Sequence, residues 1–280
     1  MSDKNTLLID GETQGIDFSI QKNSEQGFEN FKSLLDATVT KLKSVFFAFI
    51  GLLVFGGLWS LLSVYTKNEL PTPTATLKVL FEMIADPFYD YGPNDKGIGL
   101  QLFSSIKTVL SGFLLGSLIA IPIGILMGAS TICKQIFYPI VQLLKPVSPL
   151  AWFPIGLVVF KDTGMATVFI VFITSLWSTL INTSFGVASI PQDHKNVAKA
   201  FGFSKTRYLT KILIPYSLPH IITGLRLSIS VAWLVIVAGE MFSGGAGIGF
   251  FVWYSWNALS LEKVISAIII IGIVGLLFDK

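Results

Sequence analysis

"VAKAFGFSKTRYLTKILIP" (residues 197–215) is a basic, helix-forming stretch between segments that are apolar enough to enter a lipid bilayer. Its apolar residues recur at helical intervals, and its cationic residues are Lys199, Lys205, Arg207 and Lys211. Gly202 interrupts the pattern, because a glycine lets the chain turn where a side chain would clash. Pro215 lacks a backbone N–H and is expected to end the pattern. The stretch therefore predicts two short helices joined by a bend.

The charge of this stretch has two interpretations. A basic segment next to a membrane is commonly a topology signal, or it is attracted to anionic lipid. In the other interpretation the stretch is a projecting knob that inserts into a groove on another protein. The apolar and aromatic residues interleaved with the charges favour this docking interpretation over a role in topology or lipid attraction. The rest of the sequence sets the context for that choice.

The composition indicates a membrane protein. Of the 280 residues, 52% are hydrophobic and 13% are charged, and the mean hydropathy is +0.70. Soluble domains contain about 25% charged residues. A net charge of +3 is too small to indicate a nucleic-acid-binding protein, and Cys133, the only cysteine, excludes an internal disulfide and a thiol metal cluster. Residues 1–43 lack the pattern of a secretory signal. Because the chain is rich in hydrophobic residues and poor in charged ones, we predict a multi-pass membrane protein.

Six segments are candidates for crossing about 30 Å of hydrocarbon, which takes about 20 mostly apolar residues. In chain order they are 44–65, 102–128, 135–160, 165–187, 217–241 and 264–278. The sixth has only 15 residues. Either it crosses with help from its neighbours, or the natural chain continues beyond Lys280.

The distribution of lysine and arginine predicts the orientation. With six spans and both termini cytoplasmic, the inner segments hold ten of these residues and the outer segments five, diluted by acidic residues. Residues 1–43 are then a cytoplasmic tail whose apolar residues predict an amphipathic helix. Residues 44–280 form the membrane domain, with residues 190–215 as a cytoplasmic loop. Outside, an amphipathic helix is expected from about Thr74, followed by an irregular loop.

The loop resembles the EAA loop of ABC-importer permeases. "NVAKAFG" (196–202) is followed by nine residues and "ILIP" (212–215), which puts Gly202, Ile212 and Pro215 on fixed positions of the family pattern. Asn196 stands where the family often has glutamate. The resemblance implies a loop that docks on cytoplasmic ATPase subunits through Asn196, Val197, Ala198, Lys199, Ala200, Phe201, Gly202, Ile212 and Pro215.

Residues 92–102, 144–160 and 231–277 resemble the permeases of cyanobacterial-type nitrate/nitrite or bicarbonate importers, which are related to sulfonate and taurine permeases. The resemblance implies an all-α, type I ABC-importer permease bundle of about six spans in a bacterial, cyanobacterial-type plasma membrane. It also implies a second copy of the chain, two ATPase subunits that bind ATP and magnesium, and an external binding protein. The implied cargo is nitrate or nitrite, with bicarbonate as the alternative.

The third span contains four prolines, Pro139, Pro146, Pro149 and Pro154. Each interior proline costs a helix about 3 kcal/mol, and broken helix at membrane depth survives only inside protein or along a wet cavity. We predict that residues 145–154 line the translocation path. The alternative is that the prolines only kink a packed helix. The candidate path residues are Lys145, Pro146, Ser148, Pro149, Trp152, Pro154 and Arg226, with Ser148 and Trp152 contributing to a gate.

Ionisable residues within spans are rare and indicate function by default. Lys107 lies near a span end and is expected to reach the interface. Arg226 and Glu240 lie on one helix about 21 Å apart and cannot pair. Lys145 and Arg226 either lower the electrostatic barrier for an anion or pair with other groups in the bundle.

The sequence lacks the motifs that several other activities require. The sequence has no phosphate-binding G-x-x-x-x-G-K-[ST] motif, and "GGAGIG" (244–249) is interpreted as a re-entry turn. His194 and His220 have no cysteine nearby, so no metal site is expected, nor is catalysis by this chain alone. A secondary carrier would need a carboxylate near the middle of the membrane, whereas Glu240 lies near a span end. A scaffold without cargo conflicts with the broken third span.

Overall fold

The computed structural model describes residues 38–67 and 69–279. The chain divides into two compact units, Met1–Pro73 and Thr74–Lys280. In the first unit, helix α1 is described over Thr38–Tyr65, and the Trp59 indole N–H donates to the carbonyl of Pro71 at 3.0 Å. The amphipathic helix expected within residues 1–43 lies largely outside the described residues.

The second unit is helical apart from one small hairpin. Four of its helices are long and apolar enough to cross a membrane; with α1 of the first unit the described residues have five, and the bent pair 131–160 makes a sixth if it is one span. The predicted all-α fold is confirmed. The elements are α2 (Pro73–Ala85), β1 (Asp90–Gly92), β2 (Asp95–Lys96), α3 (Ile98–Ala129), α4 (Thr131–Leu144), a 3₁₀ turn (Pro149–Trp152), α5 (Phe153–Phe160), α6 (Thr163–Ala188), α7 (Gln192–Ala200), α8 (Lys205–Tyr208), a π-turn (Leu209–Leu213), α9 (Ile214–Ser243), α10 (Ile248–Asn257) and α11 (Leu261–Phe278).

Helices α3 and α6 pack at short range along a row of small residues. The row has one member every four positions of α3, which places all of them on one face: Gly112, Gly116, Ala120, Gly124 and Gly128. A β-carbon at Gly124 would lie 2.7 Å from the Thr183 β-carbon and 2.8 Å from the Leu180 carbonyl. Small residues let membrane helices approach closely and gain dispersion contacts that replace a hydrophobic driving force.

Helices α6 and α9 are joined by hydroxyl groups. The Thr179 and Ser228 hydroxyls are 2.6 Å apart, and Ser228 also donates to the Ser175 carbonyl at 2.7 Å. Five residues further along α9 than Ser228, Trp233 is buried and its indole N–H donates to the Ile271 carbonyl of α11 at 3.0 Å. Helix α9 therefore contacts both α6 and α11.

The predicted crossing at 135–160 needs correction. It begins earlier, at Thr131, and α4 and the segment Pro149–Phe160 meet at an angle of 97°. Pro139 lies inside α4 without breaking it, whereas Pro149 begins the 3₁₀ turn after the break. Pro154 is the second residue of α5. Proline is tolerated there because the first N–H groups of a helix have no hydrogen-bond acceptor within the helix.

Two further segments differ from the expectation. The sixth helix begins at Leu261 and has 18 residues, so the predicted start at 264 was three residues late. Between α9 and α11 the chain forms α10, a helix of ten residues that hydropathy did not indicate because it is too short to span. Gly244, in the left-handed conformation (φ 65°), ends α9 and begins the turn toward α10.

The loop after α2 contains a short antiparallel hairpin, β1 with β2, instead of purely irregular chain. Lys96 forms an ion pair with Asp90 at 2.7 Å across it. The hydrogen bond from the Lys96 ammonium lowers the pKa of the Asp90 carboxyl below its usual value.

Candidate coupling surface and translocation path

The bend expected at Gly202 is present. Helix α7 ends with the Gly202 N–H donating to the Lys199 carbonyl at 3.1 Å and the Phe203 N–H to the Ala198 carbonyl at 2.9 Å. Gly202 has φ +61°, a left-handed conformation that glycine adopts without strain. The Ser204 hydroxyl then accepts from the Arg207 N–H at 3.3 Å and caps the next helix.

The prediction that Pro215 ends the helical pattern is wrong. Residues Lys205–Ser243 form one continuous helix of 39 residues, and Pro215 is the second residue of α9. Just before it, the Ile214 N–H donates to the Leu209 carbonyl, five residues back. The wider π-turn gives room to the proline ring, which in a regular α-helix would clash with the carbonyl four residues earlier.

The loop presents an apolar tip beside a basic groove. Phe201 is 74% exposed at the bend. Next to it lies a groove of about 300 Å³ lined by Lys195, Ala198, Lys199, Phe203, Lys205 and Tyr208. The Arg207 guanidinium lies 5.4 Å from the centre of the Phe203 ring, close enough for a cation–π contact. We call residues 195–208 the coupling surface, and its composition suits a partner with apolar and acidic groups.

The nine residues expected to couple fall into two groups. Residues 196–202 lie on α7 and the bend, where Ala198 is buried and its neighbours are exposed. Ile212 and Pro215 lie instead at the root of the loop. There Ile212 packs against a buried cluster of Val187, Ile190 and Leu213. This cluster fixes the loop to the end of α6.

The residues expected to line the path are gathered at the break between α4 and α5, except Arg226. Lys145, Pro146, Ser148 and Pro154 are exposed on the surface of this chain. Trp152 is half-buried, and its buried indole nitrogen has no hydrogen-bond partner among the described residues. The break thus combines exposed polar groups with a bulky aromatic ring.

Arg226 lies apart from the break, on an exposed face of α9. The Ser230 hydroxyl, one turn further along α9, donates to the Arg226 carbonyl at 3.0 Å and contacts the Asp279 carboxylate at 3.4 Å. Among residues 38–67 and 69–279, one ion pair is present, between Lys96 and Asp90. Internal pairing of Lys145 or Arg226, one of the two alternatives, is therefore not seen in this part of the chain.

A buried polar cluster at the other end of the bundle was missed by sequence reasoning. The Glu240 carboxylate accepts from the Ser105 hydroxyl at 2.7 Å and from the Gly249 N–H at 2.9 Å. Ser105 accepts from the Ile248 N–H at 2.8 Å, and Gln101 from the Gly247 N–H at 2.7 Å. Side chains of α3 and α9 thus satisfy the amides at the start of α10, and we call this arrangement the α10 clamp.

The sequence carried a weak signal for the clamp. Gln101 and Ser105 are four residues apart and share a face of α3, and "GGAGIG" contains the glycines that allow close approach. A β-carbon at Gly247 would overlap the Glu240 carboxylate. These spacings alone predict neither the existence of α10 nor its contact with α3.

The chain belongs to the family of inner membrane components of binding-protein-dependent transport systems, whose model matches residues 120–279, more than half of its length. It is 41% identical over 222 residues to the nitrate import permease protein NrtB of Synechocystis sp., covering 79% of this chain and 81% of that protein. It is 40% identical over 243 residues to the bicarbonate transport system permease protein CmpB of Synechococcus elongatus, covering 86% and 87%.

An inward-facing structure of the MetNI methionine ABC transporter has a similar fold. The TM-score is 0.53 at 13% sequence identity, and the match covers 63% of this chain and 88% of that chain. The expected ABC-importer permease fold is therefore confirmed. Membership of the family implies an ATPase and a binding protein as partners, which argues against a carrier that works without them.

Proposed function

We propose that this chain is the membrane permease of an ATP-driven importer for nitrate or nitrite, and that two copies form the path between them. The observation that carries the coupling is the continuous helix Lys205–Ser243, which begins at the coupling surface and ends at the α10 clamp. The cargo is inferred from the NrtB relatives, which are 38 to 42% identical.

In this mechanism two ATPase subunits bind the coupling surfaces of the two copies. ATP and magnesium are bound by those subunits, and the chain itself supplies no catalytic residue, metal or cofactor. Closure of the ATPases moves the exposed tip at Phe201. The helix of 39 residues connects the coupling surface to the α10 clamp. Its part after the π-turn, α9, has 30 residues and is about 45 Å long, so a tilt imposed at the root of the loop is carried toward the far end of α9.

The path residues act on the anion during this motion. An external binding protein delivers the anion, and the positive charges of Lys145 and Arg226 lower the cost of bringing it into a medium of low dielectric constant. Ser148 and Trp152 lie at the break between α4 and α5, where a change in the bend opens or closes the passage. The N-terminus and the coupling surface face the cytoplasm, in keeping with the excess of lysine and arginine on that side.

Bicarbonate is the second candidate cargo, favoured by the 40% identity to CmpB over 243 residues. Nitrate and bicarbonate are both planar and monovalent, so neither size nor charge separates them. The test is uptake of labelled nitrate and labelled bicarbonate by the complete complex in liposomes. We expect ATP-dependent nitrate uptake. Accumulation of bicarbonate alone would assign the second cargo, and uptake without ATP or ATPase subunits would contradict the importer.

A further inference from the structure

A cleft of about 250 Å³ lies between α4 and the last two turns of α6, beside the end of α3. Met127, Ile181 and Phe185 form part of its apolar wall. The cleft opens at the same end of the bundle as the coupling surface, because the ends of α3 and α6 also meet the root of the loop.

The polar wall of the cleft comes mainly from one face of α4. Lys134, Tyr138, Gln142 and Lys145 line it at intervals of four, four and three residues, the spacing of one helical face. Lys145 follows the last residue of α4 in helical conformation. The row spans about 16 Å along the helix axis, from the loop end of α4 to the break that carries the predicted gate.

The groups of this wall are mostly hydrogen-bond donors and positive charges. No aspartate or glutamate is among the described residues that line the cleft, and neither lysine forms an ion pair within the part of the chain that the structure covers. The Gln142 amide donates to the Tyr138 hydroxyl at 2.6 Å, which leaves the Tyr138 proton for another acceptor. Ser184 of α6 adds a hydroxyl opposite.

We propose that this cleft binds a small oxyanion, attracted by the charges of Lys134 and Lys145 and bound by hydrogen-bond donors such as Tyr138 and Ser184. The inference rests on the proposed function for its orientation, which puts the cleft on the cytoplasmic side. Lys134 and Lys145 are at exposed positions, where an anion can reach them, and two positive charges without a carboxylate partner attract it. The same chemistry fits two sources, the imported anion on its way out and the phosphate of an anionic lipid headgroup, for which the apolar wall accommodates an acyl chain.

The test measures binding separately from transport. The complete complex is placed in discs of zwitterionic lipid, and the binding of labelled nitrate is measured. In a second arm the discs contain an anionic phospholipid, and the retained anionic lipid is measured by mass spectrometry. The double variant Lys134→Gln with Lys145→Gln is compared with Lys78→Gln with Lys161→Gln, which removes the same charge outside the cleft.

We expect the cleft double variant to weaken binding at least about tenfold, a loss of about 1.4 kcal/mol, and the control pair to change it less than about twofold. Tyr138→Phe is expected to give a smaller loss, because it removes one donor without removing charge. Loss in the nitrate arm identifies the cargo as the ligand, and loss in the lipid arm identifies the headgroup.

Equal binding by wild type and the cleft double variant in both arms would overturn the proposal. Co-purification of each variant with the ATPase subunits shows that it is folded. A wild-type complex that binds the anion but imports no nitrate would contradict the proposed cargo and leave the cleft intact, so the two failures are distinguishable.

Discussion

Glu240 of α9 and Ser105 of α3 are 135 residues apart in the chain, and their side chains are joined by a buried hydrogen bond of 2.7 Å. The same carboxylate accepts from the Gly249 N–H. One acidic side chain thus connects the ends of three helices. Both hydrogen bonds end on Oε2, whereas Oε1 is buried without a hydrogen-bond partner among the described residues. The two hydrogen bonds therefore offset only part of the cost of burying this carboxyl group.

Replacement of Glu240 by alanine is expected to destabilise the protein. The substitution leaves the buried Gly249 amide without its acceptor, and a buried unsatisfied group costs about 1–3 kcal/mol. The Ser105 hydroxyl loses its shorter hydrogen bond and keeps only the Gln101 carbonyl, at 3.3 Å, as an acceptor. Thermal unfolding of the purified complex measures the effect. Glu82→Ala, on an exposed position of α2, is the control and is expected to unfold like wild type. An unchanged midpoint for Glu240→Ala would show that the clamp contributes nothing to stability.

Substitution of Gly202 tests the bend of the coupling surface. A β-carbon there would meet no atom within 4 Å, but the residue has φ +61°. A left-handed conformation costs an ordinary residue about 1–2 kcal/mol, and asparagine visits it more readily. We expect Gly202→Val to reduce co-purification of the ATPase subunits strongly and Gly202→Asn to reduce it little.

The comparison of these two variants separates backbone conformation from side-chain size. If both Gly202 variants retain the ATPase subunits as well as wild type does, the bend is not needed for docking. If both lose them equally, an added side chain at the tip blocks the partner, and the conformation is not the cause.

The close packing of α3 on α6 is tested at Gly124. Alanine there would bring its β-carbon to 2.8 Å from the Leu180 carbonyl, a backbone atom that cannot rotate away. At Gly272 of α11, an added β-carbon would meet no atom within 4 Å. Gly124→Ala is therefore expected to lower the unfolding midpoint and Gly272→Ala to leave it near wild type. Equal midpoints would contradict the close approach of the two helices.

The gate is tested by Ser148→Ala and Trp152→Phe. We expect both substitutions to change the rate of ATP-dependent nitrate uptake, because both residues lie at the 97° break. The matched control is Ser111→Ala, at a partly exposed position of α3 away from the break. Wild-type uptake by both break variants, with normal amounts of complex in the membrane, would remove these residues from the path.

Much of the fold follows from the sequence because the forces involved are local. Hydropathy over about 20 residues identifies the spans, and the prolines near residues 146–149 indicate the break because they cannot continue a helix. Gly202 indicates the bend because a glycine can adopt backbone conformations that other residues avoid. The row of small residues from Gly112 to Gly128 was recognised as a packing face only when the structure placed α6 against it.

The tertiary structure decided what depends on distant parts of the chain. The side chains of Gln101, Ser105 and Glu240 accept hydrogen bonds from the amides at the start of α10. These residues are far apart in the chain, so no local sequence pattern predicts the arrangement. Continuation of the helix through Pro215 depends on a π-turn that changes the hydrogen-bond register. The row from Lys134 to Lys145 becomes a cleft only where α6 packs beside it. Local propensity acts along the chain, whereas hydrogen bonds and clefts between helices depend on how the helices pack.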